Sequence, residues 1–280
     1  MKLLQATVKS SCEIALIGDT HDGSLCFHEH GINQVLDWIM ADKNRYFVFM
    51  GDAIEAITTD DKRYQNDTSK EAIPLKQARN VIKRFRSVSK RGLGWLTGNH
   101  EWTLHRFGDL AEHMATELEI PYGTWTCKLR LDDKHGQLFK LYATHGGRGQ
   151  ITSNAKDHEQ REANMKASLK RRFVNKASDC LVMACGHFHK LIRVPPAERL
   201  IMSDDGEKLI QNYLSGGEGA ASYIEPDRRW YFCTGSFLKT YELGVSSYGE
   251  RAGYDPVELG LGVIRIEDRQ VVDVEKVVVD

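Results

Sequence analysis

The chain has 280 residues, enough to bury a sizeable core as one large domain or two small ones. Its 38 Lys and Arg nearly balance 39 Asp and Glu, giving a formal net charge of −1, so no global field draws it to nucleic acid or to a membrane surface. No stretch approaches the roughly 18 consecutive apolar residues of a membrane span.

In chain order, the N-terminal "MKLLQATVKSSCEIALIGD" has neither a long apolar run nor a small-residue cleavage site, so no signal peptide is expected. "EIALIGD" at 13–19 reads as a buried strand ending in Gly-Asp. Residues 33–40 place Val35, Leu36, Ile39 and Met40 on one helical face. "YFVFMGD" at 46–52 is a second buried strand with the same ending, and a polar, turn-rich excursion at 56–74 follows it. Ala78, Ile82, Phe85 and Val88 predict an amphipathic helix at 76–90. "GLGWLTGN" at 92–99 is a third strand, and a helix at 109–118 takes Asp109 as its N-cap. This alternation predicts an α/β core with a largely parallel sheet.

Residues 126–133 and 137–146 read as strands around a turn at His135 and Gly136. A long helix spans roughly 154–175, and "CLVMACGH" at 180–187 is another buried strand. In the helix, Met165, Leu169 and Phe173 form an apolar stripe, while Lys170, Arg171 and Arg172 either contact nucleic-acid phosphates or stay solvated at its negative end, the latter being expected. The later runs "LIRV", "KLIQNYLS", "WYFCTGSFLKTY", "GLGVIRIED" and "QVVDVEKVVVD" predict mostly antiparallel β structure, the last as an edge strand. The glycine-rich 213–227 lacks the lysine of a phosphate-cradling loop. No repeat or low-complexity linker interrupts the chain, so residues 1–280 read as a single domain. The cysteines Cys12, Cys26, Cys127, Cys180, Cys185 and Cys233 include no CxxC pair. Buried free thiols, and with them a cytoplasmic location, are expected rather than disulfides or a zinc framework.

Where an apolar run stops, a metal-capable side chain follows. Asp19 and His21 follow the first strand, Asp52 the second, and Asn99 with His100 the third; "YATHG" ends in His145, and "LVMACGHFH" in His187 and His189. In α/β sheets, ligands gather beyond the carboxyl ends of the strands. Carboxylate, carboxamide and imidazole donors together suit Mn²⁺, Fe²⁺, Zn²⁺, Co²⁺ or Ni²⁺ better than Ca²⁺. Two such cations, bridged by a carboxylate, can activate water and clamp a phosphoryl group for in-line attack.

The series GDTH, GD, GNHE, THG and GHFH, in that order over residues 18–189, resembles the five signature blocks of the calcineurin-like metallophosphoesterase superfamily. The resemblance implies a four-layer α/β/β/α sandwich of two mixed β-sheets and dinuclear metal-dependent phosphoester hydrolysis. It implies that Asp19, His21 and His189 hold one divalent metal ion and that Asn99, His145 and His187 hold the second. Asp52 would bridge the two ions, with manganese the expected metal. His100 would be no ligand but the general acid for the leaving oxygen or a group stabilising the phosphoryl charge, and Glu55 lies where many relatives carry an acid that orients this histidine.

Protein phosphatases of the superfamily continue their second block with Asp-Arg-Gly, whose arginine grips phosphate. Here GDAIEA puts Glu55 and Ala56 in that place, so a phosphodiesterase acting on nucleotides or nucleic acid is preferred to a phosphomonoesterase. Arg148 in "THGGRGQ" is the substitute candidate for phosphate binding. A non-catalytic scaffold of the same fold is the remote alternative, but such proteins tend to lose ligands or the acid histidine, and all of them are present here. His28, His30, His105, His113 and His158 have no spacing that demands a role. Trp102 and His105 either pack or border a substrate, packing being the expected use.

Overall fold

Alternate residues of a strand face opposite sides of its sheet, and the computed structural model, which describes residues 1–61, 64, 68–214 and 216–280, shows what each side meets. One six-stranded sheet runs in the order β14 (Gln270–Val278), β13 (Gly260–Glu267), β2 (Cys12–Ile17), β3 (Arg45–Phe49), β4 (Gly92–Leu96) and β5 (Tyr122–Thr124). β2 to β5 are parallel, and β13 joins them antiparallel. The second runs β1 (Lys2–Thr7), β6 (Thr126–Asp133), β7 (Gly136–Thr144), β8 (Val182–Cys185), β12 (Trp230–Cys233) and β9 (Ile192–Val194). β10 (Arg199–Asp204) and β11 (Leu209–Leu214) form a separate exposed hairpin.

In β2, Ile14 and Leu16 face the second sheet, where they meet Leu129, Leu141 and Phe232. Ala15 and Ile17 face the other way, onto helices α1 (Glu29–Ala41), α2 (Pro74–Phe85) and α4 (Leu110–Glu117). On the far side of the second sheet, Tyr142, Met183 and Tyr231 pack against Leu169 and Phe173 of α5 (His158–Phe173). Three apolar layers therefore separate four structural ones, helices–sheet–sheet–helix, with both sheets mixed. The strand β14 is an edge strand, as its alternation predicts. Asp109 caps α4 by accepting from the Glu112 amide at 3.0 Å.

The second half is less antiparallel than its sequence suggests. β7, β8 and β12 run parallel, so β7 and β8 release His145 and His187 at their carboxyl ends. The strands β1, β5 and β10 were not anticipated by the hydrophobic pattern. The basic end of α5 is also more engaged than expected: Lys170 pairs with Asp227, and Arg172 donates to the carbonyls of Arg148 and Gln150, leaving Arg171 exposed. Of the predicted excursion at 56–74, residues 62, 63 and 65–67 lie outside the described residues, as does residue 215 in the glycine-rich 213–227. All six cysteines are buried and unpaired. Among the described residues no helix is long and apolar enough to cross a membrane.

Candidate metal centre

The loops leaving β2, β3 and β8 turn sharply. Asp19 (φ 52°), His21 (φ 50°), Asp52 (φ 54°), His187 (φ 73°) and His189 (φ 49°) all adopt the left-handed conformation. Each such residue costs on the order of 1–3 kcal/mol and persists only where the surroundings over-determine it. Here the loops hold one another. Asp19 N donates to Gly51 O at 2.9 Å and His21 N to Asp52 O at 3.1 Å, while the Asp19 carbonyl accepts from Phe237 N and Ser236 Oγ. Gly98 is required by the close approach of β4's loop, since any side chain there would collide with the Asp52 carboxylate.

The result is a floor of four buried residues, Asp19, His21, Asp52 and His145, beneath the partly exposed Asn99, His100, His187 and His189. Among the described residues, three overlapping sets offer donor atoms within 4.8 Å of one another: Asp19, His21 and His189; His21, Asp52 and His100; and Asp52, His145 and His187. Asn99 joins the last set, with its Oδ1 2.9 Å from His145 Nε2. Asp52 lies between the groups, its Oδ2 3.2 Å from His145 Nε2 and 3.9 Å from His21 Nε2.

Chemistry within these sets favours a cation. His145 Nδ1–H donates to the Met50 carbonyl at 2.9 Å, which aims Nε2 at Asn99 Oδ1 and Asp52 Oδ2. Acceptors this close need a positive charge among them, a proton or a metal ion. Burial opposes charge on His145, but Asp52 overrides it and pushes the imidazole up to about 10. Asp52 in turn is held well below the usual carboxylate range: burial raises it, and His145, His100 and His21 outweigh burial. On the other side, His21 Nε2 lies 3.3 Å from His189 Nε2, and burial with the neighbouring His100 lowers the His21 pKa, so two imidazole nitrogens converge beside Asp19 with little tendency for His21 to carry charge. The residues present thus fit a pair of divalent cations held through mixed oxygen and nitrogen donors.

Glu55 is placed differently from its sequence expectation. Its carboxylate lies 2.9 Å from His21 Nδ1, a close contact rather than an aligned hydrogen bond, and 3.9 Å from His100 Nδ1. The Glu55 backbone carbonyl, not its side chain, accepts from His100 Nδ1–H at 2.6 Å. That bond leaves His100 Nε2 free to face the centre. Burial disfavours charge on His100, yet Asp52 and Glu55 raise its pKa above the ordinary value. Arg148 is exposed on the loop three residues beyond His145.

Glu101 was given no role by the sequence. It is buried, and its carboxylate accepts from the amides of Ala53 (2.5 Å), Ile54 (3.1 Å) and Gly98 (3.0 Å). One side chain therefore ties the loop carrying Asp52 to the turn carrying Asn99 and His100. Burial, with the nearby Asp52, holds its pKa up at about 7 against those amides. The only sequence signal was the acid three residues after Gly98, the spacing at which a side chain returns to the amide that opens a helix.

A family model for calcineurin-like phosphoesterases matches residues 13–214. No curated protein sequence matches the chain. Among solved structures, the NAD nucleotidase NadN of Haemophilus influenzae is similar at 13% identity and TM-score 0.40, over 96% of this chain and 50% of that one. GAP50, described as the anchor in the inner membrane complex of Plasmodium, is similar at 9% identity and TM-score 0.43, over 97% and 90%. The chain spans half the length of the nucleotidase.

Proposed function

Because the chain belongs to the calcineurin-like phosphoesterase family, we propose that it is a hydrolase of phosphodiesters, taking nucleotides or nucleic acid as its substrate class. The observation that carries this reading is the position of Asp52, a buried carboxylate between two sets of oxygen and nitrogen donors of the kind that hold divalent cations. When bound, a pair of divalent ions, with manganese the first choice, supplies Lewis acidity to the phosphoryl oxygens and activates water for in-line attack. Asp19, His21 and His189 would hold one ion, Asn99, His145 and His187 the other, and Asp52 both.

His100 carries the proton in this scheme. Its Nδ1–H is committed to the Glu55 carbonyl, so Nε2–H is the group positioned to protonate the leaving oxygen. Glu55 supports His21, a ligand, through charge. Arg148, open to solvent three residues after His145 in the chain, would meet a substrate phosphate.

The preference for a diester over a monoester rests on Ala56. It is buried, and its amide donates to Gln77 Oε1 at 2.9 Å, so this position brings no cation to a doubly charged monoester. The test is turnover of bis-p-nitrophenyl phosphate against p-nitrophenyl phosphate with Mn²⁺ present. Preference for the diester supports the reading, with kcat/KM falling in Arg148→Ala at unchanged metal content. Preference for the monoester replaces it with a phosphatase.

A further inference from the structure

The side of the centre formed by Asn99, His145 and His187 continues outward as a run of aromatic rings. Trp125 meets His145 edge-on, with ring centroids 5.4 Å apart at 85°, and its indole N–H donates to the Gly146 carbonyl at 2.8 Å. Trp102 meets Trp125 in turn at 6.2 Å and 90°. His105 stacks on Trp102 at 4.2 Å and 14°. These contacts fix the Trp102 ring, yet it remains 50% exposed. Just beyond, Phe107 is 75% exposed, with the Arg106 guanidinium 4.6 Å over its ring.

Trp102 closes the short helix α3 (Asn99–Trp102), the turn that also carries Asn99 and His100. Trp102 also reaches the His145 side of the centre through Trp125, so it borders the site from two directions, along the chain and across the ring contacts. Cations border the same side: Arg148 is exposed, and Arg172 braces the Arg148 loop while its guanidinium lies 4.6 Å over Phe188, between His187 and His189. Exposed, rigidly held aromatic faces interleaved with arginines are the recognition chemistry of unpaired nucleotides, because every base has a face to stack and every linkage a charge to neutralise. Bases in a duplex have both faces covered and must leave their stack before they can be used.

We propose that Trp102 is the base-stacking, specificity-determining residue of this site, so that the preferred phosphodiester is that of single-stranded nucleic acid. The proposal rests on the phosphodiester reading above and is tested separately from it. The probe is a short oligothymidylate titrated into the metal-free protein, followed by tryptophan fluorescence. Controls are an abasic oligomer of equal length and the corresponding duplex. Trp102→Ala is expected to weaken oligothymidylate binding roughly tenfold to a hundredfold and to remove much of the quenching. Trp102→Phe is expected to restore most of the affinity. The abasic oligomer should bind parent and variant alike, and the duplex should bind the parent more weakly than the single strand.

Equal binding of oligothymidylate by parent and Trp102→Ala overturns the proposal, as does an equal loss for the abasic oligomer. If metal-loaded protein cleaves diesters while Trp102→Ala binds normally, the reaction stands and this proposal falls. If binding depends on Trp102 but no diester is cleaved, the proposal stands and the reaction falls. Because Trp102 is half exposed, the variant is expected to fold, and an unchanged circular dichroism spectrum checks that.

Discussion

Replacing Glu101 by alanine leaves three buried amides, those of Ala53, Ile54 and Gly98, without an acceptor. An unsatisfied buried donor costs about 1–3 kcal/mol. Part of that is offset, because the carboxylate is itself costly to bury, as its pKa of about 7 shows. The net loss should be about 3–5 kcal/mol, at the upper end of single substitutions. At roughly 2–4 °C per kcal/mol for a chain somewhat smaller than this one, the melting temperature should fall by about 6–20 °C, towards the lower end for this length. Glu101→Gln separates the bonds. Its single oxygen can still serve Ala53 and Ile54, which share Oε1, but its amide NH₂ would confront Gly98 N. Its loss should be smaller, about 1–2 kcal/mol. Calorimetry on the metal-free proteins reads both changes. An alanine variant that melts with the parent, or a glutamine variant less stable than the alanine one, would refute the account of how the two loops are joined.

His100→Asn should lower kcat by about 10²–10⁴-fold with metal content unchanged. The loss should be larger for an alkoxide than for a p-nitrophenolate leaving group, and equal losses would remove the proton-donor role. Glu55→Gln should weaken metal binding about 10–100-fold, because the carboxylate touches His21; calorimetric titration with Mn²⁺ checks this, and a lower kcat at normal metal affinity would return Glu55 to His100. At acid pH, Glu29 should matter. Hydrogen bonds from Lys70 and Arg84 hold its carboxyl down at about 2 against an ordinary 4.5. Its folded pKa is depressed, so its contribution is present above 4.5 and fades as pH falls towards 2. The pair is partly exposed, so Glu29→Gln should cost under about 1 kcal/mol at pH 7 and the gap should have narrowed by about pH 3. A gap in melting temperature that does not change with pH would exclude the ion pair as its source.

The sequence carried much of the fold because β2, β3 and β4 are buried on both faces and read as continuous apolar runs stopped by glycine. The residues grouped at the rim were legible for the same reason, since a polar pair straight after such a run stands out. β1 was not legible: it is an edge strand with an alternately exposed face, and "KLLQAT" has no turn signal before it. β5 has three residues, too few for a period to show. The work of Glu101 depends on amides 47 and 48 positions away, which no local pattern reveals. For Glu55 the sequence indicated the loop but not the contacts, because backbone geometry decides that its carbonyl meets His100 while its carboxylate lies 2.9 Å from His21 and 3.9 Å from His100. Trp102 and His105 do stack on one another, as packing residues would, yet half of Trp102 stays open.

The central claim is that Asp52 joins two cation sites into one. Metal analysis of protein loaded with Mn²⁺ and freed of excess, done on the parent and on Asp52→Asn, tests it most directly. Two ions per chain in the parent, one or none in the variant, and loss of hydrolysis on chelation with recovery on adding Mn²⁺ are the expected results. Full hydrolysis after exhaustive chelation, or an Asp52→Asn variant that keeps both ions, would contradict the claim.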